Sequence, residues 1–203
     1  VLPIIINENQ NILMIRSFVN ELKGKLETFR TLNNNEIRKL NDIAKKYNIK
    51  YQNKHKLDLV DEILSNVDVI PNSIVLAQAA IESGWGKSRF AKEYNALFGE
   101  YTYDDSEGVI PLERENGDTH LIKAFSSYSN SVESYFDNIN SHYAYEDFRD
   151  IRNIMRKRNN FSNVNLLVNK LSTYAEDENY IKTIRQVIKT NNFEIFDQKT
   201  ISY

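Results

Sequence analysis

Glu82 is the side chain best placed to do chemistry. It ends residues 73–82 (SIVLAQAAIE), a run apolar nearly all round, and it stands directly before Ser83, Gly84, Gly86 and the chain's single tryptophan, Trp85. A carboxylate set among apolar side chains has its ionised form disfavoured, so its pKa rises and it can donate a proton near neutral pH. The negative end of a helix dipole at that position works in the same direction. Trp85 supplies an apolar wall and a flat platform of the kind that suits a sugar ring. Competing chemistries lack their residues. The chain has no Cys, and His55, His120 and His142 are scattered without an HExxH pairing, so no metal ligand set is expected. Neither GxGxxG nor GxxxxGK[ST] occurs, so no nucleotide cofactor is expected, and no other cofactor is called for.

The elements that must hold Glu82 are mostly helices. Apolar residues three or four apart predict an amphipathic helix over 11–31 and a second with Ile37, Leu40, Ile43, Ala44 and Tyr47 on one face, entered through the Asn33-Asn34-Asn35 run. A short helix is expected over Leu57–Leu64. Pro71 then marks the start of the apolar helix that ends at Glu82. Between Leu97 and Phe125 the pattern turns strand-like, and Asn116-Gly117 between two such runs is a hairpin signal. Helices resume over 130–141, 146–158, 164–172 and 178–190. Tyr135, Phe136, Ile139 and Tyr143 read as core, and the basic residues from Arg149 to Arg158 as a solvated helix face. The expected fold is α+β and predominantly helical, with a helical N-terminal extension over 1–69, a catalytic domain over 70–203 and a β-lobe at about 97–126.

Composition bounds the rest. An apolar fraction of 41% in 203 residues describes a folded chain with a real core. Lys+Arg 26 against Asp+Glu 28 leaves no global basic field for nucleic acid. No apolar run approaches the ~20 residues of a membrane helix. Charge is uneven, however: residues 71–130 hold nine acidic and five basic side chains, which suits a carboxylate-lined cleft. Most of the 26 Asn residues are read as solvated surface. The chain begins at Val1, not Met, which fits removal of a leader or a trimmed chain.

The block IVLAQAAIESGWGKSRFAKEYNALFGEY resembles the signature of the bacterial endo-β-N-acetylglucosaminidases of glycoside hydrolase family 73, and within them the Bax-like branch. The resemblance continues through GVIPLERENGDTHLIKAF, SVESYFDNINSHYAYEDFRDIR and STYAEDENYIKTI, covering about residues 70–190. It implies a lysozyme-like architecture with a groove between a helical lobe and a small β-lobe. It also implies Glu82 as general acid, with no cofactor.

A glycosidase generally needs a second carboxylate across the scissile bond. Glu100, Asp104, Asp105, Glu107, Glu113, Glu115 and Asp118 are candidates. Glu113 is preferred because Glu-Arg-Glu-Asn-Gly is similar to the family's Glu-aromatic-x-Asn-Gly element, although Arg114 stands where relatives often have Tyr. Glu115 shares its strand face and is the rival. Tyr174 falls on the family's Tyr-Ala-x-Asp-x-x-Tyr element and is implied as a catalytic-groove hydroxyl. Asp177 belongs to the same element and also fits a plain helix cap. Tyr180 reads as core. Gln78, Trp85, Asn95, Phe98 and Tyr101, in or beside the first block, complete the expected substrate contacts.

The resemblance implies peptidoglycan glycan strands as partner and an exported protein of the periplasm, the cell envelope or the extracellular space. The expected reaction is hydrolysis of the β-1,4 bond between N-acetylglucosamine and N-acetylmuramic acid. A lytic transglycosylase on the same scaffold and a non-catalytic wall-binding module are the alternatives.

Overall fold

A computed structural model describes residues 1–111, 120–159, 163–175 and 177–197. The first helix, α1 (Leu2–Glu27), starts nine residues before the expected point. Pro3 sits in its first turn, where a missing N–H costs nothing. Ile5, Ile12, Val19 and Leu22 then form one buried stripe. The helix ends where Phe29 takes a left-handed conformation (φ 56°).

Two short helices follow, α2 (Asn34–Lys46) and α3 (Lys56–Asn66). The expected cap of α2 is a full capping box. The Asn33 side chain accepts from the Asn35 and Glu36 amides, and Glu36 accepts from the Asn33 amide. Helix α1 lies along α3 and also touches α6 and α4, so its stripe joins a core that runs on to Ile188.

Helix α4 (Asn72–Glu82) is the centre of that core, with Ile74, Val75, Ala77, Gln78 and Ala79 buried. Its first turn is fixed from both ends of the chain. Asn9 donates to the Ile70 carbonyl and to Asn72. Asp197 accepts from the Ser73 amide at 2.8 Å and the Ser73 hydroxyl at 2.6 Å.

A short helix α5 (Arg89–Tyr94), absent from the sequence reading, leads to the β-lobe. Strands β1 (Tyr101–Thr102), β2 (Gly108–Val109) and β3 (Leu121–Lys123) form an antiparallel sheet in the order β1-β3-β2. Gly108 opposes Lys123 and Val109 opposes Ile122. The hairpin pairing expected there is present, but the Asn116-Gly117 turn lies outside the described residues. Gly108 has a packing reason: a Cβ there would sit 2.4 Å from the Cβ of Leu121.

Helices α6 (Tyr128–Ser141), α7 (Glu146–Lys157), α8 (Val164–Val168) and α9 (Tyr180–Thr190) complete the body, close to their expected positions. The fold is therefore predominantly helical with one small sheet lobe, as the α+β reading required.

Two expectations fail inside this body. Arg149 and Arg152 are buried, not part of a solvated face. Arg152 donates to the Asp68 and Asn66 carbonyls and to Asn140, while Arg156 and Arg16 pair with the buried Asp68 carboxylate. A fully buried carboxylate is tolerated only with such partners. Tyr143, read as core, is 80% exposed because a 3₁₀ turn (Tyr143–Tyr145) interrupts the helical spacing there.

Candidate active site

Helix α4 stops at Glu82 because three consecutive residues, Gly84, Trp85 and Gly86, take left-handed backbone angles (φ 55°, 59° and 72°). Glycine meets this freely; Trp85 does so against its intrinsic preference. Ser83 holds the turn together. Its hydroxyl donates to the Ala79 carbonyl and accepts from the Gly86 amide, and its carbonyl accepts from the Ser88 amide. The turn leaves Trp85 57% exposed on the surface and ends the helix with Glu82 partly buried.

Behind Glu82 lies a directional chain of hydrogen bonds. The Tyr135 hydroxyl donates to Gln78 Oε1 at 2.6 Å, and Gln78 Nε2 donates to the Tyr180 hydroxyl at 3.0 Å. Tyr180 in turn donates to Glu82 Oε1 at 2.7 Å. Because the amide has one accepting and one donating end, the Tyr180 proton has only the carboxylate to go to. The carboxyl is thereby held in one orientation. Burial pushes its pKa up, and the Tyr180 hydrogen bond opposes part of that rise.

The other carboxylate oxygen faces Gly99, where a Cβ would lie 3.5 Å from Glu82 Oε2. The left-handed Gly99 (φ 62°) thus lets the backbone pass close to the acid. Glu82 opens into a pocket of about 340 Å³ lined also by Phe98, Gly99, Glu100, Tyr101, Asn138, Tyr145 and Tyr174. Tyr174 stacks on Tyr180 with ring centroids 5.9 Å apart, and its hydroxyl donates to the Phe98 carbonyl at 2.9 Å. Its proton is committed, so the oxygen faces any further partner as an acceptor.

The structure brings Glu82, Phe98, Glu100, Tyr101 and Tyr174 to one pocket, and Gln78, Trp85, Asn95 and Asp177 are not among its lining residues. Phe98 is 1% exposed and stacked on Tyr135 at 4.2 Å, so its ring is core, not a sugar platform. Gln78 is fully buried with both amide ends used, which makes it a support for Glu82 instead of a substrate contact. Asn95 caps α5 in a left-handed conformation and donates to the Phe125 carbonyl, tying the lobe to the body. Asp177 is exposed and accepts from the Asn179 amide in the turn before α9, whose N-cap is Asn179 with no side-chain cap, so neither the substrate contact nor the helix cap expected of Asp177 is seen. Trp85 stands apart from the pocket lining, and Tyr101, 64% exposed, forms the pocket edge against His120. Glu113 and Glu115 lie outside the described residues.

Two residues hold a place at this site that the sequence reading did not single out. Tyr180 is core, as expected, yet it is also the partner of Glu82. Glu100 was one carboxylate among seven and proves to be the second one lining the Glu82 pocket. It follows Phe98 and Gly99 directly, which is the local signal that separates it from the rest of the lobe. Among the described residues, no group of three or more His, Asp or Glu is placed to hold a metal, and no helix is long and apolar enough to cross a membrane.

Comparison with known proteins bears on this geometry. The chain is 35% identical over 137 residues to the protein bax of Escherichia coli, covering 68% of this chain and 48% of that protein. It is also 35% identical over 92 residues to the peptidoglycan hydrolase FlgJ of Escherichia coli, covering 40% of this chain and 29% of that protein. The chain thus spans about half the length of the first relative and less of the second. A solved structure, the catalytic domain of the autolysin Auto from Listeria monocytogenes, aligns over 94% of this chain and 97% of its own, with TM-score 0.49 and 18% identity. The sequence model of the glucosaminidase family, described as mannosyl-glycoprotein endo-beta-N-acetylglucosaminidase, matches residues 57–193, a span that takes in α4, the β-lobe and α9. With Glu82 and every partner that orients it inside that span, the chain belongs to the glucosaminidase family.

Proposed function

We propose that the protein is a peptidoglycan hydrolase that cleaves the β-1,4 bond between N-acetylglucosamine and the following N-acetylmuramic acid, with Glu82 as general acid. The observation that carries this is the single-orientation carboxyl: Glu82 is held by Tyr180, partly desolvated, and open to a pocket on its free side. Protonated Glu82 gives its proton to the bridging oxygen as the C1–O bond breaks, and water supplies the hydroxyl at C1. Tyr174, whose own proton goes to Phe98, accepts from the N–H of the substrate's N-acetyl group and orients the sugar. Glu113 is proposed as the second carboxylate, removing the proton of the attacking water. Peptidoglycan lies outside the cytoplasmic membrane, so the site of action is the cell envelope.

Digestion of purified cell wall followed by mass spectrometry tests the reading. Reducing-end N-acetylglucosamine is expected. Anhydromuramic ends would replace hydrolysis by transglycosylation, and an intact wall would leave a binding module.

A further inference from the structure

The pocket at Glu82 opens into a wider cleft of about 810 Å³, sharing Glu100, Tyr101, Asn138 and Tyr145 with it. Among the described residues, the carboxyls of this cleft outnumber its cations. Among the described residues, Glu100, Glu107, Glu133 and Asp137 line it together with only Lys46 and Lys123 as lysine or arginine partners. Both lysines are already engaged: Lys46 lies 2.7 Å from Glu133 and 3.4 Å from Asp137, and Lys123 lies 3.6 Å from Glu107. His142, also in the lining, uses Nδ1 to accept from the Ala144 amide.

Glu100 is left with half its hydrogen bonding undone. Oε2 accepts from the Ser134 hydroxyl at 2.9 Å, whereas Oε1 is buried and has no hydrogen-bond partner. A buried, unpaired carboxylate oxygen is costly in a folded chain unless something else arrives to use it. Burial drives the Glu100 pKa up to about 7 and that of Asp137 up to about 6; the Ser134 hydrogen bond and the attraction of Lys123 offset only part of the rise at Glu100.

We propose that this cleft receives a primary ammonium group carried by the glycan substrate, with Glu100 as its receiving carboxylate. The proposal rests on the reading that a glycan strand occupies the Glu82 pocket. A neutral N–H donor would satisfy Oε1 and leave the charge imbalance; an ammonium supplies the missing hydrogen bond and a missing positive charge together. Tyr101 and Tyr145 present aromatic walls on the route from one pocket to the other, which suits a cation as well as a sugar. Two parts of a peptidoglycan strand offer this group: the free side-chain amine of a diamino acid in the peptide stem, and the 2-amino group of a glucosamine that has lost its acetyl.

Steady-state cleavage of three defined glycans by the wild type and by Glu100→Gln tests the proposal and separates the sources. The first glycan is peptide-free and fully N-acetylated. The second carries peptide stems, with the stem amines either free or chemically acetylated. The third is peptide-free and partly de-N-acetylated. For the wild type, we expect KM at least about tenfold lower on one amine-bearing glycan than on its amine-blocked counterpart, and the arm that shows this names the source. Glu100→Gln keeps the shape of the side chain and the Ser134 contact, and it is expected to treat free and blocked amines within about twofold. Asp137→Asn, a second charge removal in the same cleft, should shrink the preference without abolishing it. Equal KM on free and blocked amines in both arms, or a preference that survives in Glu100→Gln, would overturn the proposal. A wild type that cuts the first glycan and shows no amine preference refutes this inference alone. A wild type that leaves every glycan intact refutes the hydrolase reading and this inference with it.

Discussion

The Tyr180 hydroxyl donates to Glu82 Oε1 at 2.7 Å, joining the first turn of α9 to the last turn of α4 across 98 residues of sequence. A donor on the carboxylate favours its ionised form. Tyr180→Phe therefore raises the Glu82 pKa further and frees the carboxyl to rotate. We expect the alkaline limb of the pH–rate profile to move to higher pH, with kcat down by about tenfold through lost orientation. A profile that keeps its limb would show that Tyr180 only fills space.

Replacing the acid itself is the harsher change. Glu82→Gln keeps the shape and cannot give up a proton, so activity should fall by roughly 10²–10⁴-fold or more while the circular dichroism spectrum stays unchanged. Retention of more than about a tenth of wild-type turnover removes Glu82 from the mechanism.

Glu100 makes a prediction about stability. Its folded pKa, about 7, lies above its ordinary value of 4.5, so the native state holds a proton that the unfolded state releases. Its contribution is full below the unfolded value and is lost as pH rises from about 4.5 to about 7. Glu100→Gln removes that loss. Urea unfolding should find the variant more stable than the wild type by roughly 1–3 kcal/mol at pH 8, with the difference nearly gone at pH 4.5. An equal difference at both values would mean that Glu100 is ionised throughout.

The hydroxyl of Tyr174 and the carboxyl of Glu113 divide two mechanisms. If water is activated by a second carboxylate, Glu113→Gln is crippling, Glu115→Gln stays within about tenfold of wild type, and Tyr174→Phe is milder. If the substrate's own N-acetyl group attacks C1, Tyr174→Phe is the crippling change and Glu113→Gln approaches wild type. Rates of the three variants on one glycan decide between them.

What could be read from the sequence was local. The all-round apolar run of α4, the break after Glu82 and the Asn33 capping box are properties of neighbouring residues, and each stands in the structure where its residues placed it. Glu82 is legible as a candidate because its signal is its own surroundings, and the structure sets it at a pocket, partly buried. Tyr180 was correctly read as core, but its bond to Glu82 joins two remote helices and has no local spacing to announce it. Gln78 misled for the same reason, since a polar residue in an apolar helix looks alike whether it faces a ligand or two buried tyrosines. The Arg149–Arg158 stretch has the periodicity of a surface, and only the tertiary position of Asp68 turns Arg152 inward. Strands of two or three residues, such as β1 and β2, are too short to show any period at all.

The Asp197 carboxylate that holds the Ser73 amide sets an order of events. Helix α4 opens with amide groups that need acceptors, and one of them waits for a residue 124 positions later in the chain. During synthesis the helix bearing Glu82 is therefore made long before the acceptor that fastens its first turn. A chain halted short of that residue has the motif and lacks the fastening. Readiness of the site is in this way tied to synthesis reaching Asp197, and a fragment ending before that residue is expected to have a frayed helix and a misplaced Glu82.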